Sequence, residues 1–449
     1  MAPCRAAAMA ARSFETKEHS ASMNPLVASC APVTHRVTPA QAAEVVARAC
    51  PAESYRGKKV LLIIPDGTRT APVGLMFKTL HAQIGAVAGA FDILVALGTH
   101  APMSEEAICQ RLEISMTERR DAYAKVVFHN HAWDNPSALR EVGTLTAAEI
   151  STLTGGLFAM DVPVEVNKLV FEYDQVIIIG PVFPHEVVGF SGGNKYLFPG
   201  VAGPRILNFF HWLGAVVTNP MIIGNKWTPV RRVVDKAGAL VTVSKLCFCM
   251  VVEGADLAGL FAGTPEGAWD AASELSRQLH ICYKDRPFKT ILSCAPAMYD
   301  ELWTGGKCMY KLEPVLADGG ELIIHAPHIT EISVTHGRLI EEIGYHCRDY
   351  FLKQWDQFKG YPWGVLAHST HVRGIGVFEN GVEKCRAQVT LATGIPEAVC
   401  KKINMGYRDP RSIRKEDYAG REEEGILLVP KAGEMLFHLK QQPKWAGGR

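Results

Sequence analysis

Short, continuous apolar runs separated by polar or glycine-rich segments set the rhythm of the chain. KKVLLII (58–64), DILVAL (92–97) and DQVIII (174–179) read as buried strands, and KVVFHNH (125–131) as a further one. Between them the apolar positions recur at helical spacing: at 40–49, at 73–86, at 104–112 with Ser104 placed as N-cap, and at 204–217, opening with Pro204 at the first helical position. An amphipathic stretch at 265–279 is followed by a polar segment. A second series then begins: KTILSCA (289–295), GELIIHA (320–326) and QVTLATG (388–394). Strands alternating with helices predict the α/β class, as two α/β domains with a cofactor and substrate cleft between them. The boundary is placed near 280. An N-terminal, cofactor-binding domain then covers 36–280 and is completed by 408–449, and a C-terminal α/β domain covers 285–405. Residues 1–35 are rich in Ala and Ser without hydrophobic periodicity and are expected to form a disordered tail, with Met23 as an alternative start.

Composition narrows the function. The chain has 449 residues with Lys+Arg 47 against Asp+Glu 46, a formal net charge of +1. That balance argues against a broad nucleic-acid surface, which needs a basic excess. No apolar run approaches the roughly 18 residues of a membrane span. The 12 cysteines form no C-x-x-C pair, so free thiols in a reducing, cytoplasmic setting are expected. The tail lacks the apolar core of a secretory signal, and Glu15 and Glu18 count against a transit peptide. Small-molecule chemistry is the expectation, with the oligomeric state left open.

In open α/β sheets ligands bind outside the carboxyl ends of the strands. Three strands here run into polar clusters at that end: Asp66-Gly67-Thr68-Arg69, Gly98-Thr99-His100, and Pro181 to Glu186 with His185. The densest segment is His185 to Gly203, where Ser191-Gly192-Gly193 precedes Lys195. Glycines let backbone N–H groups approach an anion, whereas a plain turn with a solvated lysine is the bland alternative. No Walker loop, dinucleotide fingerprint or zincin motif is present. His211 sits on an apolar helix among Phe209, Phe210, Trp212 and Leu213, and reads equally as a core histidine or a metal ligand. The pairs His129/His131, His325/His328 and His368/His371 have ligand-like spacing but lack further donors. Lys307, after Trp303-Thr304, suits either a carboxylate anchor or an exposed position.

Taken together, these motifs resemble the nickel-pincer-nucleotide-dependent lactate racemases and their 2-hydroxyacid racemase and epimerase relatives. The likeness rests on Asp66-x-Thr68-Arg69, Gly98-Thr99-His100, His185-x4-Phe190-Ser191-Gly192-Gly193-x-Lys195, the downstream His211, and Lys307. It implies an isomerase using nickel and a pyridinium-3-thioamide-5-thiocarboxylic acid mononucleotide attached at Lys195. Nickel would then be bound by the cofactor's S, C and S donors plus His211, a set suited to square-planar Ni(II).

The same resemblance implies reversible hydride transfer from C2 of a 2-hydroxy acid, with His100 and His185 as general acid/base pair. Arg69 and Lys307 would hold the substrate carboxylate, with Trp303 and Thr304 beside the substrate. Asp66, Thr68, Ser191, Gly192 and Gly193 would serve the cofactor. Cofactor-biosynthesis proteins are the implied partners. The alternative is a non-catalytic nickel or pincer-nucleotide carrier. A redox enzyme releasing the keto acid is weaker, because no dinucleotide fingerprint occurs. Two departures bear on the substrate. Ala101 follows His100 where lactate racemases tend to have Arg, and Trp303-Thr304 replaces Tyr-Gln, making room for something bulkier than lactate.

Overall fold

The computed structural model describes residues 26–441 and contains two main sheets. The larger has seven strands in the order Leu26–Cys30, Asp256–Gly263, Ser244–Glu253, Gln175–Pro181, Lys59–Pro65, Ala90–Ala96, Phe128–Asn130. From Ser244–Glu253 to Phe128–Asn130 the pairing is parallel, and the first two strands add on antiparallel. The apolar runs are continuous because both faces are covered. Leu61 and Ile63 face the helices Pro204–Val217, Pro229–Ala239 and Pro265–His280. Val60, Leu62 and Ile64 face Pro39–Ala49 and Val73–Leu80. Strand periodicity of two thus sorts one sequence run into two cores.

The smaller sheet is all parallel, in the order Gly406–Tyr407, Gln388–Thr393, Leu316–Ala326, Phe288–Cys294, Ile426–Val429. Two expectations need correction here. Of residues 408–449, expected to complete the first domain, Ile426–Val429 instead pairs with Phe288–Cys294 in the smaller sheet, whereas Leu436, on the strand paired with Ile281–Lys284, does pack into a core of the larger sheet. The expected tail over 1–35 is also too long, since Leu26–Cys30 is an edge strand bonded to Asp256–Gly263. Residues 1–25 lie outside the described residues. Among the described residues, no helix is long and apolar enough to cross a membrane.

Strand order decides where a ligand binds. From Lys59–Pro65 the chain builds outward through Ala90–Ala96 and Phe128–Asn130, then returns on the other side as Gln175–Pro181. The loops leaving Lys59–Pro65 and Gln175–Pro181 therefore diverge, opening a crevice at their carboxyl ends.

Candidate active site

A cavity of about 590 Å³ occupies that crevice and is closed on its far side by residues 303–310 and 335–371 of the second half. Asp66, Thr68, Arg69, His100, His185, Ser191, Lys195, His211, Trp303, Thr304 and Lys307 all line it. A second space of about 670 Å³ shares Asp66, His100, Trp303, Thr304 and His336 with it, so the cleft continues outward past His100.

Each histidine is fixed by a different local device. Thr68 donates from N and Oγ1 to Asp66 Oδ1 (3.1 and 2.7 Å), a tight turn that leaves Oδ2 free. His100 Nδ1 donates to that Oδ2 at 2.5 Å, so its Nε2 carries the lone pair. Burial alone would raise the Asp66 pKa, but the His100 ring and the Thr68 bonds together hold it below the usual carboxylate value. His185 has the opposite polarity: Val187 N donates to its Nδ1 at 3.1 Å, placing the ring proton of the neutral form on Nε2. Burial, reinforced by Lys195, Arg69 and Lys311, pushes the His185 pKa far down. His211 Nδ1 donates to Leu207 O one turn back on its helix, at 2.7 Å, leaving Nε2 as a bare donor atom. Burial lowers its pKa to about 4, so this imidazole is neutral at pH 7.

The cationic groups are unusually enclosed. Lys195, on the short turn Gly193–Tyr196, has its pKa lowered to about 7 by burial and by Arg69. Lys307 has its pKa lowered to about 7 by the same two causes; its Nζ donates to Thr68 O at 3.3 Å and lies 4.6 Å over the Tyr299 ring. It is buried, which resolves the alternative left open in its sequence. Arg69, Lys195, Lys307 and Lys311 outnumber the nearby carboxylates Asp66, Glu186 and Glu434. A bound anion would draw protons onto these amines and pair with them.

Several predicted roles change. Gly192 and Gly193 do not line the cavity. A Cβ on Gly192 would stand 2.6 Å from Val182 Cγ2, and one on Gly193 would stand 2.7 Å from Pro265 O and 2.9 Å from Trp269 Cβ. Both have positive φ, so these glycines serve close packing rather than an anion cradle. The Ser191 hydroxyl is likewise taken, donating to Pro181 O and accepting from Phe183 N. Thr304 Oγ1 is turned back to Glu301 O. Trp303 stacks on His368 with centroids 3.8 Å apart and also meets His336 at 4.5 Å. Of the paired histidines, His368 and His371 reach the cavity, whereas His131 bonds to Ala202 O and His328 to Tyr299 O. His371 Nε2 is buried without a hydrogen-bond partner.

Sequence reasoning missed Glu186, His336, Tyr310 and Lys311. Glu186 adjoins His185 and had a signal in the post-strand cluster. Lys311 had none: it reaches back to Pro184 O and Glu434 O from the second half of the chain.

Residues 38–221 match the model of the lactate racemase N-terminal domain. The chain is 25% identical over 232 residues to lactate racemase of Lactiplantibacillus plantarum, covering 51% of this chain and 50% of that one. It is 24% identical over 276 residues to lactate racemase of Thermoanaerobacterium thermosaccharolyticum, covering 60% of each. The match thus spans 50–60% of these curated relatives. Among solved structures, a Thermotoga maritima protein aligns over 90% of this chain and 99% of its own, with TM-score 0.83 and 36% identity. The lactate racemase apoprotein of T. thermosaccharolyticum aligns over 88% and 93%, with TM-score 0.64 and 18% identity, a likeness of fold.

Proposed function

The chain belongs to the lactate racemase family, and from that premise we propose that it inverts C2 of a 2-hydroxy acid as a racemase or epimerase. The observation that carries this reading is the convergence of the Asp66–His100 pair, His185, Lys195 and His211 on one cavity at the strand switch point.

The cavity fits the nickel-pincer nucleotide. A neutral imidazole with a free Nε2 at His211, an enclosed amine at Lys195 and amines that a bound anion would protonate suit a metal, a covalent tether and a phosphate. Lys195 would hold the group and His211 would complete the nickel coordination. When bound, the group supplies reversible hydride exchange at the substrate's C2.

The remaining work falls to side chains. Arg69 and Lys307 hold the substrate carboxylate, Arg69 being capable of two parallel bonds. His100 takes the hydroxyl proton at Nε2, with Asp66 fixing its tautomer and favouring the imidazolium that forms. His185 would serve on the other face as the second acid/base, cycling between neutral imidazole and the imidazolium that returns the hydroxyl proton. Trp303, Leu207 and His368 wall the cleft against water. The open space beyond His100 accommodates a side chain longer than a methyl group. Proteins that synthesise the cofactor are the partners this chemistry needs.

The test is chiral chromatography of a 2-hydroxy acid panel on protein produced with the cofactor-synthesis enzymes. Conversion of one enantiomer or epimer to the other is expected, together with a nucleotide adduct on the Lys195 peptide. Adduct and nickel present with every enantiomer unchanged would instead identify a carrier.

A further inference from the structure

A cluster remote from the cleft carries ligand chemistry that the racemase reading does not use. Cys347 stands immediately before the helix Arg348–Lys353, and Glu383 and Cys385 lie on the strand Val382–Cys385. Glu383 and Cys385 are two residues apart on a strand and therefore share a face. A sulfur from each cysteine and a carboxylate oxygen of Glu383 all lie within 4.8 Å of one another. Gly376, opposite Cys385 in the hairpin, makes this approach possible: a Cβ there would stand 3.0 Å from both Cys347 Cβ and Cys385 Cα.

The carboxylate is held in place before any ligand arrives. Cys347 N donates to Glu383 Oε1 at 2.7 Å, while His346 Nδ1 and Asn404 Nδ2 approach Oε2 at 2.9 and 3.0 Å. Oε2 is thereby saturated, and Oε1 keeps one lone pair. Such outer hydrogen bonds are the usual support of a ligating carboxylate.

We infer that Cys347, Cys385 and Glu383 form a binding site for a thiophilic divalent cation of the zinc type, with water completing the coordination. Two thiolates and a carboxylate suit Zn(II) and distinguish it from oxygen-preferring cations. On binding, both thiols release their protons to solvent. The 2+ ion with three anionic ligands leaves a net charge of about −1 on the site. The site closes the chain between 347 and 385, a segment containing the helix Trp363–Arg373 that carries His368 and His371 to the cleft. It is a staple on that wall, separate from the nickel position at His211.

The test uses full-length protein without cofactor, reduced, stripped with a chelator and kept anaerobic, then titrated with Zn2+ alone and with Co2+ alone. One equivalent per chain is expected, with sulfur-to-cobalt charge transfer in the near ultraviolet. Cys385→Ser should remove about half of that band and the Cys347→Ser/Cys385→Ser pair all of it. Asn404→Ala, which removes one support of the carboxylate along with the bond to Tyr345 O, should weaken Zn2+ binding by about 10–100-fold. Cys247→Ser should leave the band intact, although Cys247 and Cys249 are a further close thiol pair, 3.6 Å apart. In the unmutated chain, Zn2+ should slow alkylation of Cys347 and Cys385 in peptide maps, a readout independent of how the variants fold. Absence of charge transfer, a band that survives the double variant, or a Cys347–Cys385 disulfide in the anaerobic protein would overturn the assignment.

Discussion

His100 and His185 share a cavity and a residue type, yet their backbones give them opposite hydrogen-bonding polarity. Asp66 takes the Nδ1 proton of His100, whereas Val187 N–H occupies Nδ1 of His185. Removing either ring from a proton-transfer step costs about 10²–10⁴-fold in rate. His100→Ala and His185→Ala are each expected to lose turnover on that scale while keeping nickel, as measured by chiral chromatography beside metal analysis. Asp66→Asn should lower kcat with little change in KM, because it removes the charge that favours the His100 imidazolium and leaves the carboxylate anchors in place. His211→Ala separates a different function: nickel should be lost while the Lys195 adduct persists in the peptide mass spectrum. Nickel retained in that variant would refute the ligand assignment.

At the level of elements, the three polar clusters were legible because parallel strands deliver their carboxyl ends to one rim, so Asp66, His100 and His185 had to meet. What sequence could not show was the other wall. Lys311 reaches Pro184 O across 127 positions, and nothing in its neighbours signals that pairing. The glycine loop looked like an anion cradle because glycine content does not reveal its cause, and here the cause is Trp269 and Pro265 on a helix some 70 residues later. Nor could sequence show that ILLV (426–429) joins the second sheet beside Phe288–Cys294, because a short apolar run specifies a strand but not its partner. Gly180 illustrates a constraint visible only in packing. A Cβ there would stand 2.1 Å from the Tyr196 ring, next to the Lys195 backbone. Gly180→Ala should destabilise the fold by about 1–3 kcal/mol through overpacking, read from the urea midpoint. It should also reduce cofactor attachment at Lys195, read by mass spectrometry.

Across the whole molecule, two sheets close on a cavity lined by Lys195 and Lys307, with Lys311 buried outside its lining, and these amines are held near neutrality only while the chain is folded. Lys195, Lys307 and Lys311 each have a folded pKa of about 7 against 10.5 for the ordinary side chain, with burial the leading cause. Between those values the unfolded chain binds more protons than the folded one, so this cluster makes stability rise with pH across that window, and lowering the pH toward 7 removes the gain. A bound anion does the same work at neutral pH by pairing with the protonated amines, and stabilises by mass action. Cofactor-free protein should therefore melt at higher temperature as the pH is raised above about 7, by more than a Lys195→Met variant that has lost one of the three groups. Inorganic phosphate should raise the melting temperature most at neutral pH and progressively less as the amines deprotonate. Thermal scans of both proteins across pH, with and without phosphate, check both slopes. Parallel curves for the two proteins would show that Lys195 is not part of the enclosed amine cluster, and would remove the physical basis for its attachment role.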